Sequence, residues 1–68
     1  MNWFERTRQE WIAEMLRVYG FINRKHLMLK FDISQPQASK DLQTFLRDHP
    51  GAMRYDLTWK HYERTGTS

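Results

Sequence analysis

Apolar side chains recur at three- and four-residue intervals near the start of the chain. Phe4, Arg8, Trp11, Met15 and Val18 follow one helical face, and Ile12, Leu16 and Tyr19 widen that stripe. Glu5, Glu10, Ala13, Glu14 and Arg17 fall on the other side. The pattern predicts an amphipathic helix over Trp3–Tyr19, closed by Gly20 where a left-handed cap belongs. Phe21-Ile22 is long enough only for a connector or a two-residue strand.

The period then restarts twice. Asn23 is a good N-cap, and Arg24–Phe31 can form two helical turns with Leu27, Met28 and Phe31 as the apolar positions. Asp32-Ile33-Ser34 breaks the pattern. Ser34 caps the next helix, and Pro36 falls in its first turn, where a missing N–H costs nothing. That helix runs to about Asp48 with Ala38, Leu42 and Phe45 on one stripe and Leu46 at its edge. His49-Pro50-Gly51 stops it. Beyond, the period shortens to that of strands: Ala52–Asp56 and Lys60–Glu63 flank a Leu57-Thr58-Trp59 turn, with Met53, Tyr55 and Tyr62 as inward positions. Residues 1–64 are expected to form a single domain and 65–68 a frayed tail, starting from turn-like composition at Arg64.

Helix, short helix, three-residue turn, longer helix and hairpin predict a mainly α fold with a small β-hairpin: a winged helix-turn-helix of three helices plus wing. Ala38 suits a close approach of the second and third helices, and Ile33 would plug the core beneath the turn. On a wheel of the third helix, Pro36, Lys40, Gln43 and Arg47 point away from the core stripe. Gln37 and Thr44 flank them, and Gln35 and Ser39 complete the N-terminal rim. This face carries no acidic residue, since Asp41 lies beside the core stripe. Glutamine can read adenine and lysine can reach guanine, so Gln35, Gln37, Ser39, Lys40 and Gln43 are the expected base readers. Arg24, Lys25, Thr44, Arg47, Arg54 and Lys60 are the expected phosphate contacts on double-stranded DNA. Trp59, in the wing turn, either touches the DNA backbone or folds back on the hairpin.

Residues 20–63 resemble the N-terminal winged helix-turn-helix of WYL-domain transcription regulators, a group that includes repressors attached to phage-defence systems. The likeness is carried by Gly20–Arg24, Phe31-Asp32-Ile33-Ser34, Pro36-Gln37-Ala38-Ser39, Asp41-Leu42 and Tyr55-Asp56. It implies a transcriptional repressor or regulator. The chain ends where the WYL domain would begin, which leaves either a stand-alone relative, from a phage or mobile element, or a fragment of a longer regulator.

Composition narrows the partners. The 68 residues include no cysteine, which excludes disulfides and thiolate metal sites. His26, His49 and His61 are far apart in sequence and suit surface or capping roles. Ser34 and Ser39 have no recognisable base and acid partners, and the acidic residues show no metal-loop spacing, so neither an enzyme nor a metal or small-molecule cofactor is indicated. No apolar run approaches the roughly 20 residues of a membrane span and no signal peptide is evident, which makes a cytoplasmic location the default. The net charge is +3, and all of the excess lies beyond residue 23, where eight Lys and Arg face five Asp and Glu. A domain of this size without a staple gains from a second subunit. The apolar stripe of the first helix spans about 160°, wider than one contact needs, so Ile12, Leu16 and Tyr19 are the expected homodimer interface, with the dimer reading an inverted repeat; the alternative is that these extra apolar residues cover the hairpin within one chain. The alternatives are a winged-helix module that binds another protein and a DNA-bending recombination accessory factor.

Overall fold

Each helix begins on a side chain that closes its first turn. In the computed structural model, which describes residues 2–65, Asn2 Oδ1 accepts from Glu5 N at 2.8 Å and starts α1 (Trp3–Tyr19). Gly20, at φ 84°, ends it by donating to the Met15 and Leu16 carbonyls; a side chain in that left-handed conformation would be strained. A two-residue strand, β1 (Phe21–Ile22), follows directly. Asn23 then caps α2 (Arg24–Phe31), and Asp32, also left-handed at φ 54°, terminates it. Asp tolerates that region better than most side chains, so the turn needs no glycine. Ser34 opens α3 (Gln35–Asp48) with Pro36 in the first turn.

The chain closes with β2 (Met53–Asp56) and β3 (His61–Arg64). The sheet order is β1-β3-β2, antiparallel throughout, with Tyr55 opposite Tyr62 and Ile22 opposite Tyr62. Side-chain alternation puts Ile22, Met53, Tyr55 and Tyr62 on the helix-facing side. Phe21, Arg54, Asp56, His61 and Glu63 fall on the other side, where Phe21 stacks on His61 at 5.0 Å.

The core is Ile12, Leu16, Ile22, Leu27, Ala38, Leu42, Phe45 and Met53, one or two residues from each of four elements and three from α3. Ala38, Leu42 and Phe45 form its α3 stripe, and Ile33 packs against its edge, in line with the sequence pattern.

The first helix departs from its wheel. Ile12 is 0% exposed and Leu16 4%, both enclosed by the chain's own core, so neither is available to a second subunit. The reason is that α1 packs on α3 on one side and on β1 and β3 on another, so two contacts within the chain divide the part of the stripe that holds Ile12 and Leu16. Tyr19, the third expected interface residue, stays exposed at 65%. Phe4 and Val18, at the stripe's other edge, are exposed as well. Tyr55 shares a face with Met53 but lies beyond the helices' cover and stacks edge-on with Tyr62 instead.

The wing also differs in its limits. Lys60, at φ 56°, belongs to the turn, and β3 runs from His61 to Arg64. Arg64 is pinned, its N–H donating to the Gly20 carbonyl at 2.8 Å. Thr65, placed in the tail by its composition, donates from its backbone to Ala52 and from its hydroxyl to Gly51. The rest of the expected tail, residues 66–68, lies outside the described residues.

Candidate nucleic-acid interface

The short turn Asp32–Ser34 sets α2 and α3 against each other with Leu27 and Ala38 both fully buried. Burial of Ala38, Leu42 and Phe45 turns the opposite face of α3 outward. There Gln35, Pro36, Lys40, Gln43 and Arg47 are exposed, Ser39 and Thr44 half-buried. No carboxylate sits among them apart from the terminal Asp48, which accepts from Arg47 Nε at 3.2 Å. The arrangement offers a row of amide, hydroxyl and cationic groups on the face of α3 turned away from the core.

Beside this row opens a cleft of about 560 Å³. Arg24 and Lys25, the first residues of α2, form one bank, and Ser39 and Gln43 of α3 form the floor. Tyr55, Trp59, Lys60 and Tyr62 of the wing close the other bank. Gln43 Nε2 donates to the Tyr62 hydroxyl at 3.2 Å, which ties α3 to the wing across the cleft. Trp59 is 72% exposed at the wing tip and has not folded back onto the hairpin. Three cations, two aromatic hydroxyls and the amide of Gln43 thus converge on one concave surface. Such a surface can hold an anionic strand by charge and by donors.

Two local devices shape the cleft's banks. Asn23 Oδ1 accepts from His26 N at 3.1 Å, while His26 Nδ1 accepts from Asn23 N at 3.2 Å. This is a reciprocal capping box in which histidine occupies the place usually taken by Glu or Gln. It anchors the start of α2, where Arg24 and Lys25 project. Burial, together with the nearby His61, lowers the His26 pKa, and the ring uses its unprotonated Nδ1 as the acceptor. In the wing, Asp56 Oδ1 accepts from Thr58 N at 2.8 Å and Trp59 N at 3.0 Å. Those amides, Trp59 first, hold the Asp56 carboxyl below the usual carboxylate range and shape the turn that presents Trp59 and Lys60.

The structure does not gather every residue that the pattern suggested. Arg54 lies on the sheet face turned away from α3 and pairs with Glu63 Oε1 at 3.2 Å, because strand alternation puts it opposite to Tyr55. It is no part of the cleft. Gln37 points along the side of α3 toward α1, where its Nε2 donates to Asp41 Oδ1 at 2.9 Å. Thr44 and Lys40 border the same small recess, with Glu5 and Gln9 of α1 opposite.

The sequence reading missed the buried network behind that recess. Asp41 is 3% exposed and accepts from Arg8 Nε at 2.6 Å, while its backbone carbonyl accepts from Gln9 Nε2 at 2.8 Å. The signal was present: an arginine within the apolar stripe of α1 and an aspartate bordering that of α3. Among the described residues, no group of three or more His, Cys, Asp or Glu side chains is placed to hold a metal ion, and no helix is long and apolar enough to cross a membrane.

The family model of the BrxR transcriptional regulator winged helix-turn-helix domain matches residues 5–67. The DNA-binding transcriptional repressor CapW of Escherichia coli (strain KTE188) is 40% identical over 64 residues, covering 94% of this chain and 21% of that protein. CapW of Stenotrophomonas maltophilia is 37% identical over 65 residues, covering 96% of this chain and 22% of that protein. The chain therefore spans about a fifth of the length of these curated relatives.

Proposed function

The chain belongs to the family of BrxR transcriptional regulator winged helix-turn-helix domains, and from that premise we propose that it binds double-stranded DNA with sequence preference and represses transcription. The observation that carries this reading is the convergence of the outward α3 face with Arg24, Lys25, Lys60 and Trp59 on one concave surface. In it, the first turns of α3 enter the major groove, with Gln35, Lys40 and Gln43 facing base edges, Gln37 reaching them from the flank of the helix and Ser39 at the rim. Arg24 and Lys25 hold one phosphate strand from the start of α2, and Lys60 with Trp59 reach the backbone from the wing. Arg47 and Thr44 extend the same contact toward the end of α3. The relatives named DNA-binding repressors support the reading. Residues 1–64 act as one domain in the cytoplasm.

The finer part of the proposal is a homodimer on an inverted repeat. One recognition helix reads only a few base pairs, and a two-fold pair doubles this with half-sites about 10 bp apart. Since Ile12 and Leu16 are internal, the contact must draw on the apolar side chains left outside. Exposed Tyr19, Phe21 and Leu29, with half-buried Trp11 and Met15, line a shallow apolar cleft bordered by His26 and Lys30, and it shares no residue with the basic one. A gel-shift titration against the DNA upstream of the protein's own gene, over a range of salt, tests the binding. Affinity that is independent of salt and equal for unrelated duplexes would refute it. Sedimentation equilibrium with a palindromic duplex tests the dimer, which one chain per duplex would exclude.

A further inference from the structure

Asp41 is the buried charged side chain among the described residues, and it sits directly behind the first turns of α3. Its carboxylate accepts from Arg8 Nε at 2.6 Å, from Arg8 Nη2 at 3.3 Å and from Gln37 Nε2 at 2.9 Å. A buried ion pair contributes little net stability over an apolar pair of the same volume, so what the network adds is geometry. The geometry is unambiguous at Gln37. An ionised carboxylate can only accept, so the amide nitrogen of Gln37 must face Asp41. One of its N–H groups is thereby committed. The Oε1 acceptor and the second N–H remain on a side chain in the first turn of α3. An acceptor beside a donor on one planar group complements the N6 donor and N7 acceptor that adenine shows in the major groove. A glutamine free to rotate would present either edge, and would lose side-chain entropy on settling into one.

We propose that Asp41, held by Arg8, is a positioning residue for base recognition: it fixes the amide of Gln37 so that α3 selects adenine at one position of its site. The inference rests on the DNA-binding reading above. It assigns a specificity role to two residues of α1 and α3 that lie beneath the surface rather than on it.

The test first selects a preferred duplex for the wild-type protein from a random-sequence pool. Affinity is then compared across duplexes with each base at each position. Gln37→Ala, Asp41→Asn and the double variant Arg8→Met/Asp41→Leu should each lose about tenfold in preference for adenine, at one and the same position. Their salt dependence should be unchanged, because the phosphate contacts are elsewhere. Adding Gln37→Ala to the double variant should cost nothing further. Wild-type preference in the double variant, or losses that add, would overturn the proposal. So would a uniform weakening on every duplex with the adenine preference intact, which is the signature of a structural role alone. If the Asp41 variants fail to fold, NMR relaxation of the Gln37 side-chain amide in the free wild-type protein decides: order comparable to the backbone supports positioning, and free rotation refutes it. A wild-type protein that binds no duplex at all removes the DNA-binding reading itself, whereas binding with no adenine preference sensitive to Gln37 removes only the positioning.

Discussion

Replacing Ile12 with alanine separates a core helix from an interface helix. Ile12 is 0% exposed and packs in one cluster with Leu16, Ile22, Leu27, Leu42 and Phe45. Truncating a fully buried isoleucine to alanine costs about 2–5 kcal/mol, the forfeited transfer energy plus the unfilled cavity. A domain of 68 residues has only about 3–10 kcal/mol in total at about 0.05–0.15 kcal/mol per residue. With each kcal/mol worth about 4–8 °C in a domain of this size, the midpoint should fall by at least about 8 °C. Tyr19→Ala, at an exposed position, should change stability by no more than about 0.5 kcal/mol in the isolated chain. Thermal unfolding followed by circular dichroism, at protein concentrations about twentyfold apart, distinguishes the two cases, because a subunit contact makes the midpoint depend on concentration. An Ile12→Ala deficit that is absent in dilute protein and grows with concentration, or a midpoint within about 3 °C of wild type, would refute the placement of Ile12.

Three further outcomes follow from the cleft and its banks. The triple variant Arg24→Ala/Lys25→Ala/Lys60→Ala should weaken all duplexes alike and flatten the log-affinity against log-salt slope by about 0.9 for each phosphate no longer neutralised, while Arg54→Ala leaves the slope unchanged; a triple variant with the wild-type slope would exclude the assignment. Lys40→Ala should cost roughly 1–3 kcal/mol on the selected duplex and relax preference at one base pair, and unaltered selectivity in competition titration would count against base contact. His26 has a pKa lowered from the ordinary 6.5, so the unfolded chain binds the proton more tightly. Stability is then highest above pH 6.5 and falls as pH drops through that value toward the lower folded pKa. Urea unfolding between about pH 7.5 and about pH 5 should show this decline, and His26→Gln, which keeps an acceptor for Asn23 N without titrating, should lessen it; identical pH profiles would refute the role of Nδ1.

Local signals were sufficient wherever one residue's own chemistry decides the backbone. Asn23, Ser34, Gly20 and Pro36 act through hydrogen bonds or dihedral limits within three or four positions, and the helix limits they mark are those observed. The α3 stripe was legible for a similar reason: a helix with a single buried side shows its core residues as a single period, and Ala38, Leu42 and Phe45 are buried accordingly. The outward face of α3 follows from the same wheel. What the chain alone could not settle is how many neighbours a face has. The wide stripe of α1 fitted either an unfilled contact or two filled ones, and only the packing of α3 and the sheet against it encloses Ile12 and Leu16. Which face a strand residue occupies relative to a helix is likewise a matter of register, so Arg54 left the cleft through the pairing of Tyr55 with Tyr62. Arg8 and Asp41 stand 33 positions apart, and each reads singly as a lone polar residue, one within an apolar stripe and one beside another. Their meeting, and the hold on Gln37 that results, exists only once α1 lies across α3, because a hydrogen bond between distant segments leaves no periodic trace in either of them.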